Sequence, residues 1–389
     1  MSRLPALDGT TVLDFSTVGP AARCSRILAD YGANVVKIGA PPSRAGAQLE
    51  PAFHAYSAGR GMKQARIDLK APAGKAAFFE LAKSADVVLE SYRPGVVGRL
   101  GIAYDDVRTV NPRIIYCSTS GYGQDGPAAQ WAGHDLNYLA VGGFLACSTP
   151  RADGGPPIPG ATVADSAAGG MHAVIAILAA LLRRAHTGEG EYLDVSVADG
   201  VLQLMALTVD EHLATDTAPG PRRDLLTGRY AFYDNYAAGD GKWLSVAAIE
   251  PRFWANLCRV LDLEGWISHQ YDDAVQEEIR ADLRAAFAKK TRDEWSAELG
   301  PADTCVAPVR EVTELLGDAQ YRARGAFSQA VHPEHGAFRQ VAPVLAGMER
   351  SATPVSVRGG DVSDTAELLR HAGMPDLEIE KLLGEGVLA

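Results

Sequence analysis

Thr11-Val12-Leu13-Asp14-Phe15, a helical-period segment from Ala21 to Tyr31, Gly32, and then Asn34-Val35-Val36-Lys37-Ile38 decide the fold of this chain. Two short apolar runs read as buried strands, and the segment between them carries apolar residues at helical spacing. Gly32 suits the left-handed position just past a helix end. The stretch is therefore a βαβ unit, which requires parallel strands and a covering helix. It lacks a GxGxxG turn, so the nicotinamide-dinucleotide fingerprint is absent.

The pattern repeats downstream. Ala73 to Ser84 reads as a helix, Asp86 to Glu90 as a strand, Arg93-Pro94-Gly95 as a turn, Tyr104 to Val110 as a helix and Ile114 to Ser118 as a strand. A helix from Ser166 to Arg184 follows, closed by Arg183, Arg184 and His186 ahead of Gly188. Leu193 to Val197 is a further strand, leading into a helix from about Asp199 to Leu213. Alternating strands and helices predict an α/β fold with a mainly parallel, Rossmann-like sheet.

After the Pro- and Gly-rich connector Thr215 to Asp224 the texture changes. Tyr230 to Tyr236 and Trp243 to Ala248, joined at Gly239-Asp240-Gly241, suggest a hairpin that leads into helices through Leu299. The expected organisation is a large domain over 1–200, a linker over 201–224, a smaller α+β domain over 225–330 and a C-terminal segment over 331–389. That last segment holds a strand near Gly336 to Ala342 and helices near Asp364 to Ala372 and Leu377 to Leu383. A chain of 389 residues exceeds what one core usually fills, in keeping with two domains.

Composition narrows the function. The chain is 47% hydrophobic and 22% charged, with net charge −11, which disfavours nucleic acid and anionic lipid as partners. Residues 1–100 nevertheless hold 13 Lys and Arg against 8 Asp and Glu, a balance of +5 against −16 for the remainder. A basic first quarter suits a polyanionic small molecule. The five cysteines are scattered, with neither CxxC nor metal-ligand spacing. With no apolar run over Met1 to Thr10 and only Ala173 to Leu182 as a long greasy stretch, the expectation is a soluble, cytoplasmic protein without membrane insertion.

Three acid–base residues stand at strand or loop junctions with helices. His134 follows the Gly-rich segment Gly121 to Gly126 and opens an apolar helix; it could act as a proton carrier or simply hydrogen-bond a neighbour. Asp165 precedes the small-residue run Ser166-Ala167-Ala168-Gly169-Gly170. It could be an N-cap, or a base or nucleophile beside a helix start where Gly169 and Gly170 admit a ligand. Glu250 precedes Pro251 and reads as a first-turn acid or as a carboxylate that orients an imidazole. Lys37, Arg44, Arg60, Lys63, Arg66, Arg93 and Arg99 follow strand ends or turns. Singly they read as surface charges; together they suit a nucleotide bearing several phosphates, with Lys37, Arg60, Lys63, Arg93, Arg99, Gly169 and Gly170 the chosen contacts.

The ordered set Leu7-Asp8-Gly9, Gly32 to Ile38, Asp68-Leu69-Lys70, Ser91-Tyr92-Arg93-Pro94-Gly95, Gly121 to Pro127 and Gly133-His134-Asp135-Leu136-Asn137-Tyr138 resembles family III CoA-transferases. That superfamily holds both transferases and α-methylacyl-CoA racemases. The resemblance implies an interlocked homodimer that acts on an acyl-CoA thioester, with CoA as carrier and no further cofactor or metal. It further implies His134 and Asp165 as the two bases of a racemase and Glu250, in Ile249-Glu250-Pro251, as support for the imidazole. The transferase alternative uses Asp165 as a nucleophile that forms an acyl-aspartyl anhydride. A second alternative is an inactive acyl-CoA-binding protein.

Overall fold

The expected βαβ unit is present in the computed structural model, which describes residues 4–44, 52–348, 353–358 and 362–389. Strand β1 (Thr11–Asp14), helix α1 (Gly19–Asp30) and β2 (Asn34–Gly39) follow one another, and Gly32 takes φ +97° just past the end of α1. Next come β3 (Met62–Arg66), α2 (Pro72–Ala82), β4 (Val87–Glu90), the short α3 (Val96–Leu100) and α4 (Tyr104–Val107), β5 (Ile115–Ser120) and α5 (Asp135–Val141). Helix α6 (Phe144–Cys147) belongs to a second unit described below. A continuous helix then starts as a π-helix over Ala164–Met171 and goes on as α7 (His172–Thr187), before β6 (Glu191–Ser196) and α8 (Val197–Leu204).

The six strands pair in parallel in the order β3-β2-β1-β4-β5-β6. This is the doubly wound Rossmann order, whose direction of winding reverses between β1 and β4. Side chains alternate faces along a strand, and here both faces are covered. Val12, Val35, Val87 and Ile115 pack with Ala21, Leu28, Ala173 and Ile177 of α1 and α7. Their neighbours Leu13, Val36, Val88 and Tyr116 pack on the other side with Phe78, Leu81, Leu369, Ile379 and Leu382.

The chain divides into two compact units. Unit 1 comprises Met1–Gly142, Pro159–Met205 and Ala319–Ala389; unit 2 comprises Gly143–Ile158 and Ala206–Asp318. These bounds differ from those read along the sequence: 143–158 cluster with the smaller unit, and 319–330 with the larger. The first part of the expected linker is helical, α8 to Leu204 being followed by α9 (Ala206–Thr215), and 216–224 lie outside a helix.

Unit 2 builds a three-stranded antiparallel sheet in the order β7-β8-β9 from β7 (Tyr233–Ala237), β8 (Trp243–Ala247) and β9 (Val306–Pro308). Helices α10 (Pro251–Val260), α11 (Gln276–Phe287) and α12 (Arg292–Leu299) cover it, burying Trp254, Phe287 and Trp295.

The rest of unit 1 is α13 (Ala319–Ala323), the strands β10 (Phe327–His332), β11 (Gly336–Val341) and β12 (Val355–Ser356), then α14 (Thr365–His371) and α15 (Asp376–Gly384). Leu369 on α14 and Ile379 on α15 are at most 1% exposed, so the C-terminal helices complete one face of the parallel sheet.

Helix Ala164–Thr187 corrects one expectation. At 24 residues and mean hydropathy 1.6 it is long and apolar enough to cross a membrane, although the greasy run read from sequence was much shorter. Its inner face, with Ala173 and Ile177 fully buried, packs on the parallel sheet.

Candidate active site

A cavity of about 280 Å³ opens at the carboxyl ends of the parallel strands, where the strand order reverses. Val18 and Gly19 after β1, Ser91 to Pro94 after β4 and Thr119 to Gly121 after β5 line it, together with Trp131, Gly133, His134, Tyr138 and Asp165. An open α/β sheet leaves a crevice at this point because the loops after β1 and β4 run to opposite sides. The structure thus brings His134 and Asp165, 31 positions apart in sequence, onto one cavity.

His134 is the N-cap residue of α5, in extended conformation, and its backbone N–H donates to Asn137 Oδ1 at 3.0 Å. The imidazole is exposed and makes no hydrogen bond with any described residue, so both ring nitrogens are available. Gly133 before it permits a close approach: a Cβ there would stand 2.7 Å from the Tyr138 ring. Tyr138 donates its hydroxyl to the Gly133 carbonyl at 2.5 Å and meets Tyr122 edge-on at 5.2 Å. Burial and the Asp165 charge push its phenol up to about 12, so it stays protonated.

Asp165 corresponds only in part to the sequence reading. It is not an N-cap but the second residue of the π-helix, a winding frequent at functional sites. Its N–H donates to Asp135 Oδ1 at 2.8 Å, so Asp135 ties the two segments together. The Ser166 N–H donates to the Thr162 carbonyl at 3.0 Å. The Asp165 and Ser166 N–H groups at this helix start therefore already have acceptors. By contrast, the N–H groups of Asp135 and Leu136 in the first turn of α5 have no acceptor among the described residues. Burial raises the Asp165 pKa and Asp135 adds to the rise; Arg23 and His134 oppose it.

Arg23 was not singled out by sequence. Its guanidinium lies 3.6 Å from Asp165 Oδ2, donates to Ser166 Oγ at 2.8 Å and Thr162 Oγ1 at 2.6 Å, and sits over the Tyr56 ring. The signal was an arginine pair, Arg23 and Arg26, in a helix whose buried residues apart from Arg26 are small or apolar.

Gly169 and Gly170 are a further correction. Both are buried, and the space they leave is filled by protein: a Cβ on Gly169 would stand 2.5 Å from Pro20 Cβ, and one on Gly170 2.9 Å from Arg23 Cβ. They admit α1, not a ligand. Gly169→Ala is expected to lower stability in urea by about 1–3 kcal/mol with an unchanged m value, the usual cost of overpacking. A change below about 0.5 kcal/mol would mean that the contact is soft.

The basic set also divides. Lys37 Nζ is 2.5 Å from the fully buried Asp14, and Arg60, 5% exposed, binds Asp30 with two nitrogens at 2.9 and 3.0 Å. Each is committed to a carboxylate and neither is free for phosphate. Lys63 pairs with Glu367 at 3.0 Å. Arg93 is exposed, lines the cavity and forms no ion pair among the described residues; Arg99, also without one, lies in the last turn of α3. The side chain of Arg44 lies outside the described residues. In unit 2, Glu250 is the exposed N-cap residue of α10, with Pro251 at the first helical position as expected.

The arrangement places an imidazole, a carboxyl group, a solvent-facing cation and an aromatic wall around one cavity. Comparison with known proteins gives the chemistry a family. The model of CoA-transferase family III matches residues 7–360. The chain is 32% identical over 386 residues to human alpha-methylacyl-CoA racemase, covering 98% of this chain and 97% of that protein. It is 28% identical to formyl-CoA:oxalate CoA-transferase of Rhodopseudomonas palustris (strain HaA2), with 99% and 97% covered. A crystal structure of a CAIB/BAIF family protein from Brucella suis shares the fold, with TM-score 0.76 over 95% of this chain and 100% of that one at 24% identity.

Proposed function

The chain belongs to CoA-transferase family III, and from that premise we propose that it epimerises the α-carbon of 2-methylacyl-CoA thioesters. The observation that carries this reading is the opening of His134 and Asp165 onto one cavity. Inversion beside a thioester carbonyl needs a proton removed from one face of the carbon and another returned to the opposite face. One residue takes the proton while the C–H electron pair moves into a new C=C bond and the carbonyl pair moves onto oxygen. The conjugate acid of the other residue then protonates the carbon from the far side. Burial favours the neutral acid of Asp165, while Arg23 keeps its carboxylate accessible as a base.

The enolate oxygen belongs, in this proposal, near the free N–H groups of Asp135 and Leu136. Arg93 faces the anionic portion of CoA, and Glu250 keeps the role the resemblance gives it, fixing the tautomer of the imidazole. The thioester itself acidifies the carbon, so the proposal requires no additional cofactor. An interlocked homodimer is part of the same proposal.

A transferase reading, with Asp165 as nucleophile, draws on the formyl-CoA:oxalate CoA-transferase likeness. The two separate in one experiment. A pure 2-methylacyl-CoA epimer incubated with the protein in heavy water is expected to gain one α-deuterium and lose stereochemical purity without any added acid. Absence of exchange, together with entry of a labelled free acid into the thioester, would establish the transferase instead.

A further inference from the structure

Beneath the loop that carries Arg93 lies a carboxyl group that the proposed reaction does not use. Glu90 ends β4, is 2% exposed, and accepts the Tyr92 N–H on Oε2 at 2.6 Å. Its own carbonyl accepts the Thr119 hydroxyl at 3.2 Å. Residues 91–94, which this carboxyl underpins, form a wall of the cavity. Among the described residues, the titratable groups that face Glu90 are Tyr116 and Cys117 from β5, Tyr192 and Asp194 on β6, and Tyr92 in its own loop, with Asp14 of β1 acting on Tyr92 and Cys117. None is a cation. Burial pushes Glu90 up to about 7, against the Ser118 hydroxyl and the Tyr92 N–H, which favour the charged form, while Asp194 adds to the rise.

We propose that Glu90 is a positioning residue for Arg93: its carboxylate fastens the 91–94 turn through the Tyr92 N–H and so presents Arg93 to the anionic portion of a CoA thioester. This rests on the reading of the cavity as a CoA-thioester site. A hydrogen bond to an ionised acceptor is roughly twice as strong as one to a neutral acceptor. The sign follows from the raised pKa: the anchor is at full strength above about pH 7 and weakens as pH falls through that value.

The test is calorimetric binding of free CoA between pH 6 and pH 8.5 to the wild type and to Glu90→Gln, a neutral stand-in for the protonated acid. Titration of the CoA phosphates cancels in the ratio of the two dissociation constants. That ratio is expected to rise from near one at the acid end to about fivefold at the alkaline end. In an Arg93→Ala background it is expected to stay near one throughout. Ser118→Ala, which leaves Glu90 in place, is expected to move the midpoint to higher pH, and this arm holds if Glu90→Gln does not fold. A ratio independent of pH, or CoA binding that weakens as Glu90 ionises, overturns the proposal and leaves the reading of the cavity standing. Failure of CoA to bind any of the proteins overturns both.

Discussion

His134→Ala is expected to slow epimerisation of a 2-methylacyl-CoA by roughly 10²–10⁴-fold, the usual contribution of a positioned acid–base group. This is equivalent to about 3–5 kcal/mol of transition-state stabilisation. The imidazole is exposed and makes no hydrogen bond with any described residue, so its removal breaks no described contact on which the fold of the chain depends. Thermal stability and CoA binding should be unchanged. Chiral analysis of the thioester after timed incubation gives the rate. A variant that keeps more than about a tenth of the activity would remove His134 from the proton path, and retained CoA transfer at near wild-type rate would point to the anhydride route.

Asp165→Asn is expected to cause a loss of the same size, but with the opposite stereochemical signature. Each base faces one side of the α-carbon, so each single variant should still wash deuterium into one epimer, without inversion. His134→Ala should label the epimer whose α-proton faces Asp165, and Asp165→Asn the other. Asparagine keeps the shape of the side chain, and the Asp165 backbone bond to Asp135 does not involve the replaced group. Proton NMR of each epimer in heavy water reads the outcome. If both variants lose exchange on both epimers equally, two opposed carriers are not at work. If Asp165→Asn alone stops all turnover while His134→Ala does not, the aspartate is a nucleophile.

Much of the large unit was legible because its strands are buried on both faces. Val12 and Leu13, Val35 and Val36, and Val87 and Val88 are apolar neighbours that face opposite ways, and such runs stand out in any sequence. Strand β3, Met62-Lys63-Gln64-Ala65-Arg66, carries no such signal: it lies at the sheet edge and is a strand because β2 offers it a hydrogen-bonding partner. The π-helix was hidden for a related reason. Its small residues looked like space for a ligand, and only the approach of α1 shows what fills that space.

His134, Asp165 and the turn bearing Arg93 were marked by residue type and local pattern, since acid–base chemistry and helix starts are local properties written in a few consecutive positions. The sequence by itself also determined the parallel α/β class through strand–helix alternation. Only the tertiary structure decided which charges are spent. Asp14 claims Lys37 and Asp30 claims Arg60 across 23 and 30 positions, so neither guanidinium nor ammonium remains for a phosphate. It also decided that Arg23 and Asp135 belong beside Asp165, because an electrostatic pairing depends on distance in space, and that distance is set by the packing of α1 and α5 against the π-helix and not by spacing along the chain.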